Sequence, residues 1–144
     1  MATAWLSLGA NIGDPAGQLS EAVRRLDDHA DIRVTAQSSV IRTKAWGKTD
    51  QPDFANMAAT VETDLLPIDL LHACLDIERD MGRVRHEVWG PRLIDIDLIA
   101  YERIEMDSTK LILPHRFAHE RDFVLAPLRE IAPDVADWIV GRHR

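Results

Sequence analysis

Leu93-Ile94-Asp95-Ile96-Asp97-Leu98-Ile99-Ala100-Tyr101 is an apolar run interrupted only by two carboxylates two residues apart. Read as a strand, it sends Ile94, Ile96 and Leu98 to a core face and both Asp95 and Asp97 to the opposite one. Aspartate is depleted in strands, so two in one strand is an unusual use of a sheet face. Adjacent carboxylates repel and raise each other's pKa unless a cation neutralises them. Paired hard oxygen ligands suit Mg²⁺, which takes one or two carboxylates and fills its shell with water and substrate phosphate. The plainer alternative is a solvated sheet face with Asp at an edge.

The segments on either side supply the partners of that strand. Ala4 to Leu8, bounded by Gly9, reads as a buried strand, and Gly9 to Gly13 as a turn. Asp14 is a helix N-cap with Pro15 at the first helical position, and Leu19, Ala22, Val23 and Leu26 mark one face as far as about Asp28. Ile32 to Ile41 is β-branched enough for a strand, Trp46 to Asp53 is a polar loop, and Phe54 to Thr63 is a strand with Met57, Ala59 and Val61 on one face. Pro67 opens a second helix carrying Leu70, Cys74, Ile77 and Met81, closed by Gly82. Arg83 to Pro91 is a charged loop. Glu102 to Leu113 predicts a hairpin with Ile104 and Leu111 to Leu113 as its apolar parts, and Phe123 to Ile131 a final helix ending before Pro133. The order β-α-β-β-α-β predicts an α+β, ferredoxin-like antiparallel sheet with two helices on one face, plus a C-terminal hairpin and helix.

The 144 residues fit one domain, 1–144, able to bury a sizeable core. The lone Cys74 excludes an internal disulfide framework and a Cys-rich zinc module. No apolar run approaches the ~18–20 residues of a membrane span, and Ala2 to Ala10 is too short for a secretory leader, so a soluble cytoplasmic protein is expected. The net charge of −7 argues against broad binding to nucleic acid or an anionic membrane. Yet 14 of the 17 basic residues are Arg, with Arg79, Arg83, Arg85 and Arg92 close together and Arg116 and Arg121 further on. Arginine is favoured where two-pronged contact with phosphate or carboxylate matters. Pairing with Asp80 and Glu87 is the plain alternative, but Arg beside a carboxylate pair that can hold Mg²⁺ suits a small polyphosphate ligand.

Phe54 and Asn56 share a strand face opposite Met57, offering a stacking plane beside an amide, which suits a flat heterocycle unless this is ordinary strand packing. His115 and His119 are four apart, but Pro114 and the lack of an evident third ligand argue against zinc. A His near arginines can instead donate to a phosphate. Cys74, on the apolar helix face, reads as core.

Leu6-Ser-Leu-Gly-Ala-Asn-Ile-Gly-Asp14, Asp50-Gln-Pro-Asp-Phe-Ala-Asn56, Gly82-Arg-Val-Arg85, Trp89-Gly-Pro-Arg-Leu-Ile-Asp-Ile-Asp97, Leu113-Pro-His115 and Arg121-Asp-Phe123 follow one another in order. As an ordered set, spanning about Ala4 to Pro133, they resemble the 6-hydroxymethyl-7,8-dihydropterin pyrophosphokinases of folate biosynthesis. The resemblance implies transfer of the β,γ-pyrophosphoryl unit of ATP to the pterin hydroxymethyl group, releasing AMP. It implies two Mg²⁺ ions held by Asp95 and Asp97. Arg83, Arg92, His115 and Arg121 would contact phosphates or nucleotide, Arg83 and Arg92 in catalytic roles. Phe54 and Phe123 would sandwich the pterin, Asn56 and Thr43 would bond its edges, and Asp95 would also reach it. Arg85 and Trp89 would belong to a loop closing over ATP, and Glu78 would reach the nucleotide. The partners implied are these two small substrates, taken up by a monomer. In departures from the family pattern, Ala10 stands where Ser is common, and Lys44 and Trp46 follow Thr43 where small or apolar residues are frequent. Two other readings stay open on residues alone. A Mg²⁺-dependent nucleotidyltransferase would release pyrophosphate instead of AMP, and a ferredoxin-like small-molecule sensor would not need the Asp pair.

Overall fold

The computed structural model describes residues 1–43, 54–82 and 94–143. Five strands, β1 (Ala2–Ala10), β2 (Ile32–Gln37), β3 (Ile41–Thr43), β4 (Phe54–Thr63) and β5 (Asp95–Tyr101), build one antiparallel sheet. Its order is β2-β4-β1-β5, with β3 also paired to β4. A separate ribbon joins β6 (Met106–Asp107) to β7 (Ile112–Leu113). The hairpin expected over 102–113 is thus present but short, and Ile104 lies exposed ahead of it.

The expected continuous strand from Ile32 to Ile41 is instead broken between β2 and β3. Ser38 supplies the reason. Its N–H donates to the Ala58 carbonyl at 2.9 Å while its hydroxyl oxygen accepts the Ala58 N–H at 2.8 Å. A side chain has taken over one rung of the ladder, and regular pairing with β4, which holds as far as Gln37, resumes only at Ile41.

Helices α1 (Pro15–Asp28) and α2 (Pro67–Gly82) follow the predicted periodicity. Asp14 caps α1 by accepting the Gly17 N–H at 3.2 Å, with Pro15 in the first turn. Gly82 is the last residue of α2. The stripes Leu19/Ala22/Val23/Leu26 and Leu70/Ala73/Cys74/Ile77/Met81 bury themselves on the sheet face formed by Ala4, Leu6, Leu8, Met57, Ala59, Val61, Ile96 and Leu98. Both helices of the β-α-β-β-α-β order therefore share one side.

The far side corrects the single closing helix expected from the sequence. Two helices, α3 (Asp122–Ile131) and α4 (Pro133–Gly141), cover Trp5, Ala58, Ile99 and Ala100 there. Pro133 marks a start as well as an end. Proline lacks the N–H that the first helical turn leaves unbonded anyway, and Val135, Ala136 and Ile139 then continue an apolar face into the same core. The register shift between Trp5 and Leu6 leaves Ile99 as an extra residue in β5 and puts Ile99 and Ala100 together in this second core. Among the described residues no helix is long and apolar enough to cross a membrane.

Glu130 of α3 fastens this second layer to the β2–β3 break, accepting the Ser39 N–H at 3.0 Å and the Ser39 hydroxyl at 2.8 Å. These bonds, the backbone one foremost, hold its carboxyl below the usual range. A depressed carboxyl stabilises the fold above its unfolded pKa, and that stability is lost as pH falls through the native value. Glu130→Ala is accordingly expected to lower the melting temperature at pH 7 and to lower it much less near pH 3, as read by thermal melts across that range. Cys74 is fully buried, and burial first, with the Glu78 and Asp97 charges adding to it, pushes its thiol up to about 12. The native protein is expected to resist thiol alkylation at pH 8 and to react promptly once unfolded in denaturant, scored by mass spectrometry.

Candidate active site

Helices α3 and α4 cover only part of the far sheet face. Beyond them lies a polar floor built by register. Gly9 of β1 pairs with Asn56 of β4 on one side and Asp95 of β5 on the other, and Asn56 in turn pairs with Ile41 of β3. One rung along, Ser7 lies between Ala58 and Asp97. Phe54 pairs with Thr43 at the open end. Strands sit about 4.8 Å apart, so the Asn56 strand and the Asp95 strand are separated by about 10 Å with only a glycine between them.

The amide of Asn56 is oriented on both sides. Its Nδ2 donates to the Thr43 hydroxyl at 3.0 Å. Its Oδ1 lies where a side chain on Gly9 would project, 2.9 Å from the position a Cβ would take. Glycine is required at that rung, because a methyl group would push the amide off its place. Phe54 is 36% exposed and Phe123, at the start of α3, is 37% exposed, so both rings are accessible apolar surface.

Asp95 and Asp97 are half-buried on the same face of β5, as alternation predicts, with Ile94, Ile96 and Leu98 buried on the other. Between them, the Ile96 N–H points away from β1 and donates to Glu78 Oε1 of α2 at 2.8 Å. Glu78 thus reaches the strand that carries the pair and bonds its backbone.

A cleft of about 260 Å³ opens beside Asp97, with Leu71, Leu98 and Leu111 as apolar wall and Lys110, His115 and Arg116 as cationic or polar rim. The His115 N–H donates to the Ile99 carbonyl at 2.7 Å, which ties the segment after Pro114 to β5. The imidazole Nδ1 accepts the Phe117 N–H at 3.2 Å, leaving Nε2 to carry the ring proton toward a ligand. Burial lowers the His115 pKa, the Asp97 charge opposes this, and Arg121 reinforces it. His115 is therefore within electrostatic reach of both.

The structure brings Asn56, Thr43 and Phe54 together at one end of the floor, and Asp97, His115 and Arg121 at the other. Arg83, Arg85, Trp89 and Arg92, with Lys44 and Trp46, lie outside the described residues. His119 takes no part. It stacks on His143 with 3.5 Å between ring centroids and has Glu120 3.4 Å away. Among the described residues no group of three His, Cys, Asp or Glu could hold a metal ion. Sequence reasoning assigned no role to Ser7 or Gly9, whose place on the floor depends on which strands pair. It counted Arg116 among the phosphate-suited arginines without a specific role, and it passed over Lys110, whose only sequence signal is charge close to His115.

Residues 5–133 match the family 7,8-dihydro-6-hydroxymethylpterin-pyrophosphokinase (HPPK). The chain is 53% identical over 135 residues to a Methylorubrum extorquens protein named 2-amino-4-hydroxy-6-hydroxymethyldihydropteridine pyrophosphokinase, covering 94% of this chain and 85% of that one. It is 43% identical over 132 residues to the Bacillus subtilis protein of the same name, covering 92% and 79%. Among solved structures, it superposes on part of a Plasmodium falciparum HPPK-DHPS triple mutant with a TM-score of 0.71 at 15% identity. That match covers 92% of this chain and 40% of the fused one, and at this identity it speaks for the shared fold. With the ordered motifs, the sheet floor and these relatives in agreement, the chain belongs to the 7,8-dihydro-6-hydroxymethylpterin-pyrophosphokinase family.

Proposed function

We propose that this protein, acting as one cytoplasmic monomeric domain, moves the pyrophosphoryl group of ATP to 6-hydroxymethyl-7,8-dihydropterin across the floor between Asn56 and the Asp95/Asp97 pair. The family supports the reaction, a transfer from ATP to hydroxymethyldihydropterin. The single observation that carries the placement is the register that sets Asn56, Gly9 and Asp95 in one row. Family membership leaves the nucleotidyltransferase and sensor readings without support. The order β2-β4-β1-β5, with α1 and α2 on one side, supports reading the first six elements as the ferredoxin-like βαββαβ arrangement, its second strand split in two.

The pterin occupies the Asn56 end. Asn56, held by Thr43, presents a carbonyl oxygen to ring N–H groups, and Phe54 and Phe123 supply apolar planes for stacking. A site built to bond a heterocycle's edge rejects rings that lack the matching groups, because its own polar atoms would be left unpaired. The bare Gly9 rung gives the substrate room to lie across β1, with its hydroxymethyl arm directed toward β5.

ATP occupies the Asp97 end. The leucines of the cleft offer apolar surface to the base, and Lys110, His115, Arg116 and Arg121 face its negative charge. Through Nε2, His115 donates to a phosphate oxygen without carrying a full charge of its own. Asp95 and Asp97 fit Mg²⁺. They offer two hard oxygen donors on one strand face, and among the described residues no third His, Cys, Asp or Glu completes a cluster with them, so phosphate and water would complete the shell. When bound, Mg²⁺ supplies neutralisation of phosphate charge and acidification of the attacking hydroxyl. In the closed protein Arg83 and Arg92 balance charge on the transferred oxygens, while Arg85 and Trp89 cover ATP and keep water from competing as the acceptor.

Asp95→Ala and Asp97→Ala are each expected to cut turnover by more than about 10²-fold, since even outer partners of metal sites cost 10–100-fold when removed. Both should keep the wild-type circular dichroism spectrum. The check is AMP formation from ATP, Mg²⁺ and the reduced pterin alcohol with products separated, and near-normal AMP release by either variant would sink the assignment. Gly9→Ala displaces Asn56 without touching the cleft. It is expected to raise the KM for pterin about tenfold or more while triphosphate affinity stays within about twofold, a loss of the size expected for one or two hydrogen bonds to a bound ring. Calorimetry with each ligand separately distinguishes this from general misfolding.

A further inference from the structure

Phe117 is 42% exposed, so the faces of its ring are open to other groups. Two guanidinium groups use them. Arg116 Cζ lies 5.4 Å from the ring centroid and Arg121 Cζ 5.3 Å. The His115 ring meets it edge-on, with centroids 6.4 Å apart and planes at 61°. Arg121 also lies over Phe123 at 5.7 Å. Three groups of the proposed nucleotide end therefore converge on one ring that sequence reasoning left without a role.

Arg103 is held in the same manner, over Trp5 at 5.8 Å and Trp138 at 5.3 Å, but six other arginines are handled differently. Arg24, Arg25, Arg33, Arg79, Arg129 and Arg142 each meet a carboxylate. Among the described residues, Arg116 and Arg121 make no such ion pair, although Glu120 and Asp122 flank Arg121 in the chain. The difference has chemical meaning. A carboxylate takes up the N–H edge of a guanidinium and cancels its charge. An aromatic ring holds the guanidinium by its flat face, leaving the N–H edge and the full charge available to an anion.

We infer that Phe117 is a positioning residue for the triphosphate, clasping Arg116 and Arg121 beside His115 so that their N–H edges are set for phosphate oxygens before ATP arrives. The inference rests on the assignment of this end of the floor to ATP. The ring touches no reacting atom, and its contribution is orientation. It fixes two long side chains whose rotamer freedom would otherwise be lost at the moment of binding.

The test uses the full chain with Mg²⁺ and a nonhydrolysable ATP analogue, titrated by calorimetry, beside steady-state kinetics. Phe117→Leu keeps apolar bulk and removes the aromatic faces. It is expected to weaken analogue binding about 5–30-fold, the effect of losing two cation–π contacts, and to raise the KM for ATP more than it lowers kcat. Phe117→Tyr, which keeps the faces, is expected to bind within about twofold of wild type. Melting temperatures of both should match wild type, because the ring is exposed. Arg121→Ala made in the Phe117→Leu background should cost far less than in wild type. Wild-type affinity in Phe117→Leu, equal loss in Phe117→Tyr, or strict additivity in the double variant overturns the inference. If Arg121→Ala and His115→Ala both weaken the analogue while Phe117→Leu does not, the ATP assignment stands and only the positioning role fails. If neither single variant affects binding, the ATP assignment fails and takes this inference with it.

Discussion

Gly9 is the residue on which the site's geometry turns. It sits in the interior strand β1, paired at once with Asn56 and Asp95. Any other residue would fill the rung between them, and the close approach of the Asn56 oxygen shows how little space a single carbon would have. The constraint is steric, and it connects the two ends of the floor. A recognition amide and a carboxylate come from strands that never touch each other, and their spacing is set by the width of one intervening strand. Side chains built on sheet rungs hold their positions better than side chains on loops, which is what in-line transfer between two bound substrates demands.

The rest of the fold covers the two faces of the sheet unevenly. The α1/α2 layer buries the near face along its length, so the sheet is rigid from behind. On the far side, α3 and α4 bury Trp5, Ala58, Ile99 and Ala100. The covered area runs on past Trp5, since Ser7 and Asn56 are themselves buried, while Phe54 is exposed and Asp95 and Asp97 are half-buried. Helix α3 begins with Phe123 in its first turn and the Arg116–Phe117–Arg121 cluster just before it. The helix that closes the second core also delivers the aromatic and cationic groups to the rim.

Much of this was legible in the residues. The Asp95/Asp97 alternation, the α1 and α2 stripes and the Phe54–Thr63 strand follow from local periodicity, and local periodicity survives in the structure because each face is buried in the expected sense. What was not legible depends on long-range pairing or on ambiguous punctuation. The strand break at Ser38 comes from a side chain bonding β4, which nothing in the Ile32–Ile41 composition signals. Helix α4 was hidden by Pro133, a residue that ends one helix and begins another with equal ease. Ser7 and Gly9 became site residues only once β1 was known to run between β4 and β5. The ordered motifs imply the pterin and nucleotide roles, and the register gives those proposed roles a layout.

The bond from Ile96 to Glu78 has a counterpart across the sheet. On the outermost strand at the opposite margin, the Val34 N–H donates to Asp27 of α1 at 2.9 Å. Each rim of the sheet thus has an outward amide already occupied by an acid from the helix lying behind it. Unsatisfied amides on a border strand are an invitation for another chain to dock and extend the ladder. With an acid bonded to one on either flank, the two helices leave fewer free amides for edge-to-edge pairing.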